Sequence, residues 1–199
     1  MSSRRIRFSL VLAVVLGLAI VSYAIASSRG HDHGNSSATQ FTAALDGHSE
    51  TPAVHTNGTG QLSLTINPDN TMSYTLTYSG LNTPATMAHV HFGQPDVAGG
   101  VVFFLCGGGS KAACPAGTGT TTATISGTVA ASDILAPTGQ GLNAGDLTGF
   151  IQEIRAGFAY ANVHTSTSPN GEIRGQLFAS GHGNGHDNND NGQGDDDND

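Results

Sequence analysis

Residues 158–177 constrain the fold most strongly, because they contain two strand-like runs joined by one well-specified turn. In the first run three polar residues alternate with small apolar ones, so a β-strand places all three on one face: Tyr160, Asn162 and His164. The turn that follows has Pro169 at its second position and Gly171 at its fourth, as type I turns favour. The pattern therefore predicts an antiparallel β-hairpin whose two strands are half-buried.

The rest of the chain also favours β-structure. It is rich in Thr, Val and Gly, with 28 glycines and no Trp in 199 residues, and turn signals recur at the spacing of short strands. Besides the hairpin, alternating or apolar runs predict strands at residues 40–45, 59–66, 71–79, 87–92, 101–105 and 121–129. We therefore expect one all-β domain over residues 40–180, an antiparallel Greek-key-like β-sandwich of about eight strands.

One segment has a different period. Four apolar residues recur at i, i+3, i+4 and i+7, which is the spacing of one helical face: Leu147, Phe150, Ile151 and Ile154. Asp146 precedes them as a capping residue, and Gly157 follows them as a helix terminator. One short helix is therefore predicted beside the strands.

Both ends of the chain differ from this central part. Residues 1–26 have a basic start, an apolar run and a small-residue cleavage site, which predict a signal peptide cut after Ala26. An uncleaved N-terminal anchor is the alternative, since the apolar run is almost long enough to cross a membrane. Residues 27–39 are predicted to be a flexible linker, and residues 181–199 a disordered acidic Asn/Gly/Asp tail, because neither segment has apolar periodicity.

Charge and cysteine content restrict the possible compartments of the protein and the possible classes of partner. The formal net charge is −8, and three of the seven basic residues lie in the predicted signal, so nucleic acid is a poor partner. Once the signal is removed, we expect a monomer with no stable membrane insertion, located outside the cell, in the periplasm or at the cell surface. Cys106 and Cys114, the two cysteines, predict a disulfide in that setting. A thiolate metal site is the alternative reading.

Three histidines could carry chemistry. His89 and His91 are two residues apart on a predicted strand, so both imidazoles project from one face. His164 lies on the polar face of its own strand and meets them if the two strands are neighbours. Clustered imidazoles suit copper and zinc. The alternative is a structural role, in which the three rings bond loop carbonyls.

Several motifs together resemble the CHRD (chordin) domain family. They fall in the family's order and approximate spacing, at residues 41–47, 50–52, 80–81, 88–93 and 160–177. The resemblance implies a secreted antiparallel β domain, found repeated in chordin-like growth-factor antagonists and singly in many microbial proteins. It also marks a structural motif around the final hairpin, namely Asn162, Pro169, Gly171, Glu172 and Arg174.

The function expected from this resemblance is that of an exported binding or surface module without catalytic residues. Its ligand, an extracellular or periplasmic protein or a small molecule, is left open. The alternative is a copper- or zinc-binding metalloprotein with histidine ligands, since the His-Val-His strand is similar to the copper-binding strand of copper/zinc superoxide dismutases. Only His89 and His91 carry over to that family. Paired catalytic carboxylates among Glu50, Asp96 and Glu172 stay possible, because the sequence does not place them in space.

Overall fold

A computed structural model describes residues 37–180. The strands are β1 (Gln40–Asp46), β2 (Thr59–Ile66), β3 (Met72–Ser79), β4 (Ala85–Phe92), β5 (Gly100–Cys106), β6 (Ala123–Val129), β7 (Ala159–Thr165), β8 (Ile173–Gln176) and β9 (Phe178–Ala179). A 3₁₀ helix (Ala131–Asp133) follows β6, and helix α1 (Leu147–Arg155) precedes β7. The predicted strands are all present within two residues at each end, and β9 was not predicted.

All nine strands belong to one sheet, in the order β5-β4-β7-β8-β1-β2-β3-β6, with β9 paired to β1. Every pairing between strands is antiparallel, which confirms the predicted fold class. The structure differs from the expected sandwich in having one sheet, which curls until its edge strands β5 and β6 come into contact. The right-handed twist of strands makes such curling possible without breaking the ladder.

The core fills the inner face of this curled sheet. Alternate residues of the strands point inward, including Leu62, Leu64, Leu76, Val90 and Phe103. Helix α1 adds the four apolar residues predicted for its face, and Phe150 meets Phe103 edge to face with ring centroids 6.0 Å apart. Asp146 caps the helix by accepting a hydrogen bond from the Gly149 N–H, and Gly157 ends it at φ +81°. The predicted helix is therefore confirmed together with its boundaries.

Two local predictions are also borne out. In the turn before β8, the Gly171 N–H donates to the Ser168 carbonyl at 3.1 Å, and Gly171 has φ +123°. Cys106 and Cys114 form a disulfide with their Cα atoms 5.0 Å apart. That bond closes the loop after β5.

The strands of the final hairpin differ from the prediction in one respect. All seven residues of β7 are buried, although the alternation predicted a half-buried strand. The small apolar residues face the core, and the polar ones lie on the outer face beneath the loops that precede β2 and β5. The polar face of β7 is therefore covered by loops and not exposed to solvent.

The predicted signal peptide, most of the linker and the tail lie outside the described residues. Between residues 37 and 180, no helix is long and apolar enough to cross a membrane.

Candidate metal centre

Strands β4 and β7 bring the three histidines together on the outer face of the sheet. In their antiparallel register His89 lies opposite Asn162, and Met87 lies opposite His164. Directly opposed residues share a face, so His89 faces Asn162 across the two strands, and His91 and His164 project from the same side of the sheet. Ala88, which precedes His89, and Val90, which lies between the two histidines, face the core instead.

The three imidazoles form a compact cluster. The His89 ring lies 4.6 Å from the His91 ring and 4.4 Å from the His164 ring, measured between centroids. One ring nitrogen from each residue lies within 4.8 Å of the others. The residues are only 4, 8 and 7 % exposed, so the cluster is shielded from bulk water.

Backbone carbonyls determine which nitrogen carries the proton in two of the rings. His91 Nδ1 lies 2.9 Å from the Gly99 carbonyl oxygen, and His164 Nδ1 lies 2.9 Å from that of Pro169. A carbonyl oxygen can only accept, so each Nδ1 is the donor. Burial lowers the pKa of both histidines, which keeps the rings neutral. Each Nε2 therefore presents a lone pair.

Both lone pairs point at the same side-chain amide. Asn162 Oδ1 lies 3.0 Å from His91 Nε2 and 3.1 Å from His164 Nε2. An amide oxygen is also an acceptor, so three lone pairs converge without a hydrogen among them. Such a point attracts either a cation or, after rotation of the amide, the two hydrogens of its own NH₂ group.

His89 is the third member of the cluster. Its Nδ1 is one of three buried side-chain atoms in the described residues that have no hydrogen-bond partner. Burial first, and then the neighbouring His91 and His164, lower the pKa of His89 to about 2. The ring is thus a neutral imidazole with a free nitrogen, which is the form that binds metals.

A stack of side chains holds His91 in place. The Tyr160 ring lies parallel to the His91 ring with centroids 4.5 Å apart, and the Arg174 guanidinium covers the other face of Tyr160 at 3.5 Å. Arg174 also donates to Thr51 Oγ1 and to the carbonyls of Gln94 and Val97. The two loops that cover the outer face are thereby tied to the stack.

Glu50, on the loop before β2, lies beside Asn162 without taking part in the histidine cluster. It is 8 % exposed, and its Oε1 has no hydrogen-bond partner. Burial raises the pKa of Glu50 to about 7, although the Arg174 charge, the Thr51 N–H and the Asn162 amide each lower it. A Cβ atom on Gly171 would overlap Glu50 Oε1, so glycine is what lets the carboxyl lie there.

This carboxyl makes stability depend on pH. The pKa of Glu50 is about 7 in the folded state against 4.5 ordinarily, so the folded state holds its proton more tightly. Stability is therefore lost as pH rises through this interval. We expect Glu50→Gln to raise the free energy of unfolding by about 3 kcal/mol at pH 8 and to change it little at pH 4.5.

Urea unfolding at both pH values measures this difference. Every other ionisable side chain is common to wild type and variant, so the difference between the two proteins reports on Glu50. Glu153→Gln, the same exchange on the partly exposed side of α1, is the matched control. An equal effect of Glu50→Gln at the two pH values would contradict the prediction.

The sequence predicts all three histidines of this cluster but not how they are connected. Asn162 was assigned to the hairpin motif, and its position between the rings follows from the pairing of β4 with β7. Of the carboxylates left unplaced, Asp96 is exposed, Glu172 is buried in a separate network, and only Glu50 lies near the cluster. The alternation of Tyr160, Asn162 and His164 on one face was the available signal.

Comparison with known proteins identifies the chain at the level of its domain. Neither the curated proteins nor the solved structures that were compared give a match. The family model of the CHRD domain matches residues 41–177, which include β1, the three histidines and the final hairpin. This match spans well over half of the chain. The chain therefore belongs to the CHRD domain family.

Proposed function

We propose that this protein is an exported binding module whose CHRD domain holds one copper or zinc ion through His89, His91 and His164. The observation that carries the proposal is the convergence of lone pairs from His91 Nε2, His164 Nε2 and Asn162 Oδ1 on one buried point. With the Asn162 amide in this orientation, no donor faces the two imidazole lone pairs, and a bound cation takes the donor's place.

The surroundings of the rings support this assignment. Histidines that bind metals usually donate the other ring N–H to a backbone carbonyl or a carboxylate, which fixes the tautomer and the ring orientation. His91 and His164 do so toward Gly99 and Pro169. His89 has a nitrogen left unpartnered in a site of low exposure, and an ion would supply the missing interaction.

The distances are compatible with a small rearrangement on binding. Zinc binds imidazole nitrogen at about 2.0–2.1 Å, which places two tetrahedral ligand nitrogens about 3.4 Å apart. The candidate nitrogens lie within 4.8 Å of one another, so side-chain rotations of about 1 Å bring them to that spacing. A set of neutral imidazoles favours copper or zinc over magnesium or calcium, which prefer oxygen ligands.

The coordination favours holding the ion over catalysis. Catalytic zinc sites keep one position open for water or substrate, whereas structural sites are closed. Asn162 Oδ1 lies within 3.1 Å of two of the ligand nitrogens and is within reach of the same ion. It would close the coordination sphere in a pocket that is already buried. Binding, storage or sequestration is therefore the role that we assign.

Export is supported by two features. The first 26 residues have the three parts of a signal peptide, and the Cys106–Cys114 disulfide suits an oxidising compartment. We propose that the mature protein carries a flexible N-terminal linker, a β domain over residues 40–180 and an acidic tail. A secreted, periplasmic or surface location follows from the same features.

The decisive experiment is a metal titration of the mature protein produced without a histidine tag. Isothermal titration calorimetry with Cu²⁺ and with Zn²⁺ should show one tight equivalent that His89→Ala/His91→Ala removes. The matched control is His48→Ala/His55→Ala, which removes two exposed histidines and leaves the cluster intact. The histidines near the chain ends are present in all three proteins, so their weak binding cancels.

Either of two outcomes would reject the proposal. One is wild-type protein that binds neither ion in stoichiometric amount. The other is tight binding that the His89→Ala/His91→Ala variant retains in full.

A further inference from the structure

A second feature of the outer face is a pocket of about 240 Å³ between the loop before β2 and the β7–β8 turn. It is lined by residues 50–54 and 167–171. Two prolines, Ala53 and Val54 supply apolar walls, and Thr51, Thr167 and Ser168 supply hydroxyl groups. Glu50 is the only charged residue in this lining.

The Glu50 carboxyl in the wall of the pocket has an unused acceptor. Its Oε1 packs against Gly171, itself a lining residue, and has no hydrogen-bond partner even though Glu50 is 8 % exposed. Arg174, the nearby cation, directs its Nη1 and Nη2 hydrogens to Thr51, Gln94 and Val97. A carboxylate that is desolvated in this way is stabilised when a cation enters the pocket beside it.

We infer that this pocket binds a small organic cation, a primary ammonium with a short carbon chain, with Glu50 as its anionic anchor. The ammonium group supplies N–H donors and a positive charge to the carboxylate, and the carbon chain packs on Pro52, Val54 and Pro169. A bare divalent ion fits less well, since calcium and magnesium require several oxygen ligands. The acidic balance of the chain, −8, attracts cations in general.

The site is separate from the proposed metal centre. Glu50 is no ligand in that proposal, and none of the three histidines lines the pocket. Amine binding should therefore be the same in metal-free protein and in the His89→Ala/His91→Ala variant. Failure of either proposal leaves the other standing.

The test is a titration of the mature, chelator-treated protein with n-propylammonium at pH 8 and physiological salt, followed by ¹H–¹⁵N NMR. We expect saturable shifts of amides in residues 50–54 and 167–171, with a dissociation constant on the order of 10 mM for so small a ligand. Propan-1-ol, which has the same carbon chain without the charge, should bind at least about tenfold more weakly.

Two variants locate the binding. Glu50→Gln keeps the shape of the side chain and should weaken the amine at least about tenfold, whereas Glu153→Gln should not change it. Ala53→Trp should fill the pocket from its exposed rim and abolish the shifts while the carboxyl remains. Equal binding by Glu50→Gln, equal binding of propan-1-ol, or no saturable shift in wild type would overturn the inference.

Discussion

Glu172→Ala is expected to lower the free energy of unfolding by about 3–5 kcal/mol. Glu172 is fully buried, and its carboxyl accepts three hydrogen bonds. Thr56 Oγ1 and the Asn82 N–H donate to Oε1 at 2.6 and 2.8 Å, and Thr165 Oγ1 donates to Oε2 at 2.6 Å. Alanine leaves all three donors in place and removes their acceptor, which is the costly way to break a buried network.

The three donors lie on different parts of the chain, so the carboxyl joins them. Thr56 precedes β2, Asn82 follows β3, and Thr165 ends β7. Losing the carboxyl should therefore loosen one end of the sheet as a unit. Urea unfolding monitored by tyrosine fluorescence and by far-ultraviolet circular dichroism measures the loss.

Two further variants distinguish the network from side-chain volume. Glu172→Gln keeps the shape and one oxygen, and the threonine hydroxyls can turn to accept from its amide, so we expect a smaller loss of about 1–2 kcal/mol. Glu153→Ala on α1 should change stability by less than about 0.5 kcal/mol. If Glu172→Ala came within 1 kcal/mol of wild type, the three hydrogen bonds would carry no net stability.

The second large effect concerns His164→Ala in the presence of metal. An ion that binds only the folded state adds about 4 kcal/mol at a free concentration one thousand times the dissociation constant. For a domain of this size, that raises the melting temperature by about 10 °C. The variant lacks one of the three ligands, so most of this increase should disappear.

His164→Ala should also destabilise the metal-free protein. The ring donates to the Pro169 carbonyl and packs against His89, so its removal takes the donor from that carbonyl and leaves a cavity beside His89. We expect a loss of about 1–3 kcal/mol that does not depend on metal. Melting curves of wild type, His164→Ala and His48→Ala, each with Zn²⁺, Cu²⁺ or a chelator, separate the two contributions.

The patterns of these curves have different meanings. A difference in melting temperature between wild type and His164→Ala that becomes larger when metal is added supports the ligand role. A gap that is constant under all conditions assigns His164 a structural role alone, and the proposed function then fails. His48→Ala should follow wild type throughout.

The local parts of the fold were predictable because each depends on neighbours in sequence. Helical periodicity depends only on residues three or four apart, which is the spacing of Leu147, Phe150, Ile151 and Ile154. The Asp146 cap likewise acts on a residue three positions away. Likewise, the alternation that put His89 and His91 on one face holds for any strand. Such features need no knowledge of the tertiary arrangement.

The connections of the site were not predictable for the opposite reason. Whether His164 reaches His89 depends on β4 pairing with β7 in one particular register, and a shift by one residue would turn the histidines of one strand to the core. The contact of Glu50 with Gly171 and Asn162 depends on a covering loop far away in sequence. Curling of the sheet, rather than a two-layer sandwich, depends on β5 meeting β6, and no local pattern encodes that approach.

The position of β1 imposes an order on the time course of folding. Strands β1, β2 and β3 are joined by consecutive hairpins, so they can assemble as soon as residues 40–79 have been synthesised. The other edge of β1 pairs with β8 and β9, the last strands of the domain. Until those arrive, that edge presents unpaired N–H and C=O groups, which are a template for association with other chains. By pairing with β1, the final residues of the domain thus protect its first strand from association with other chains. A nascent chain stalled before residue 173 lacks this protection and would be the species most in need of a chaperone.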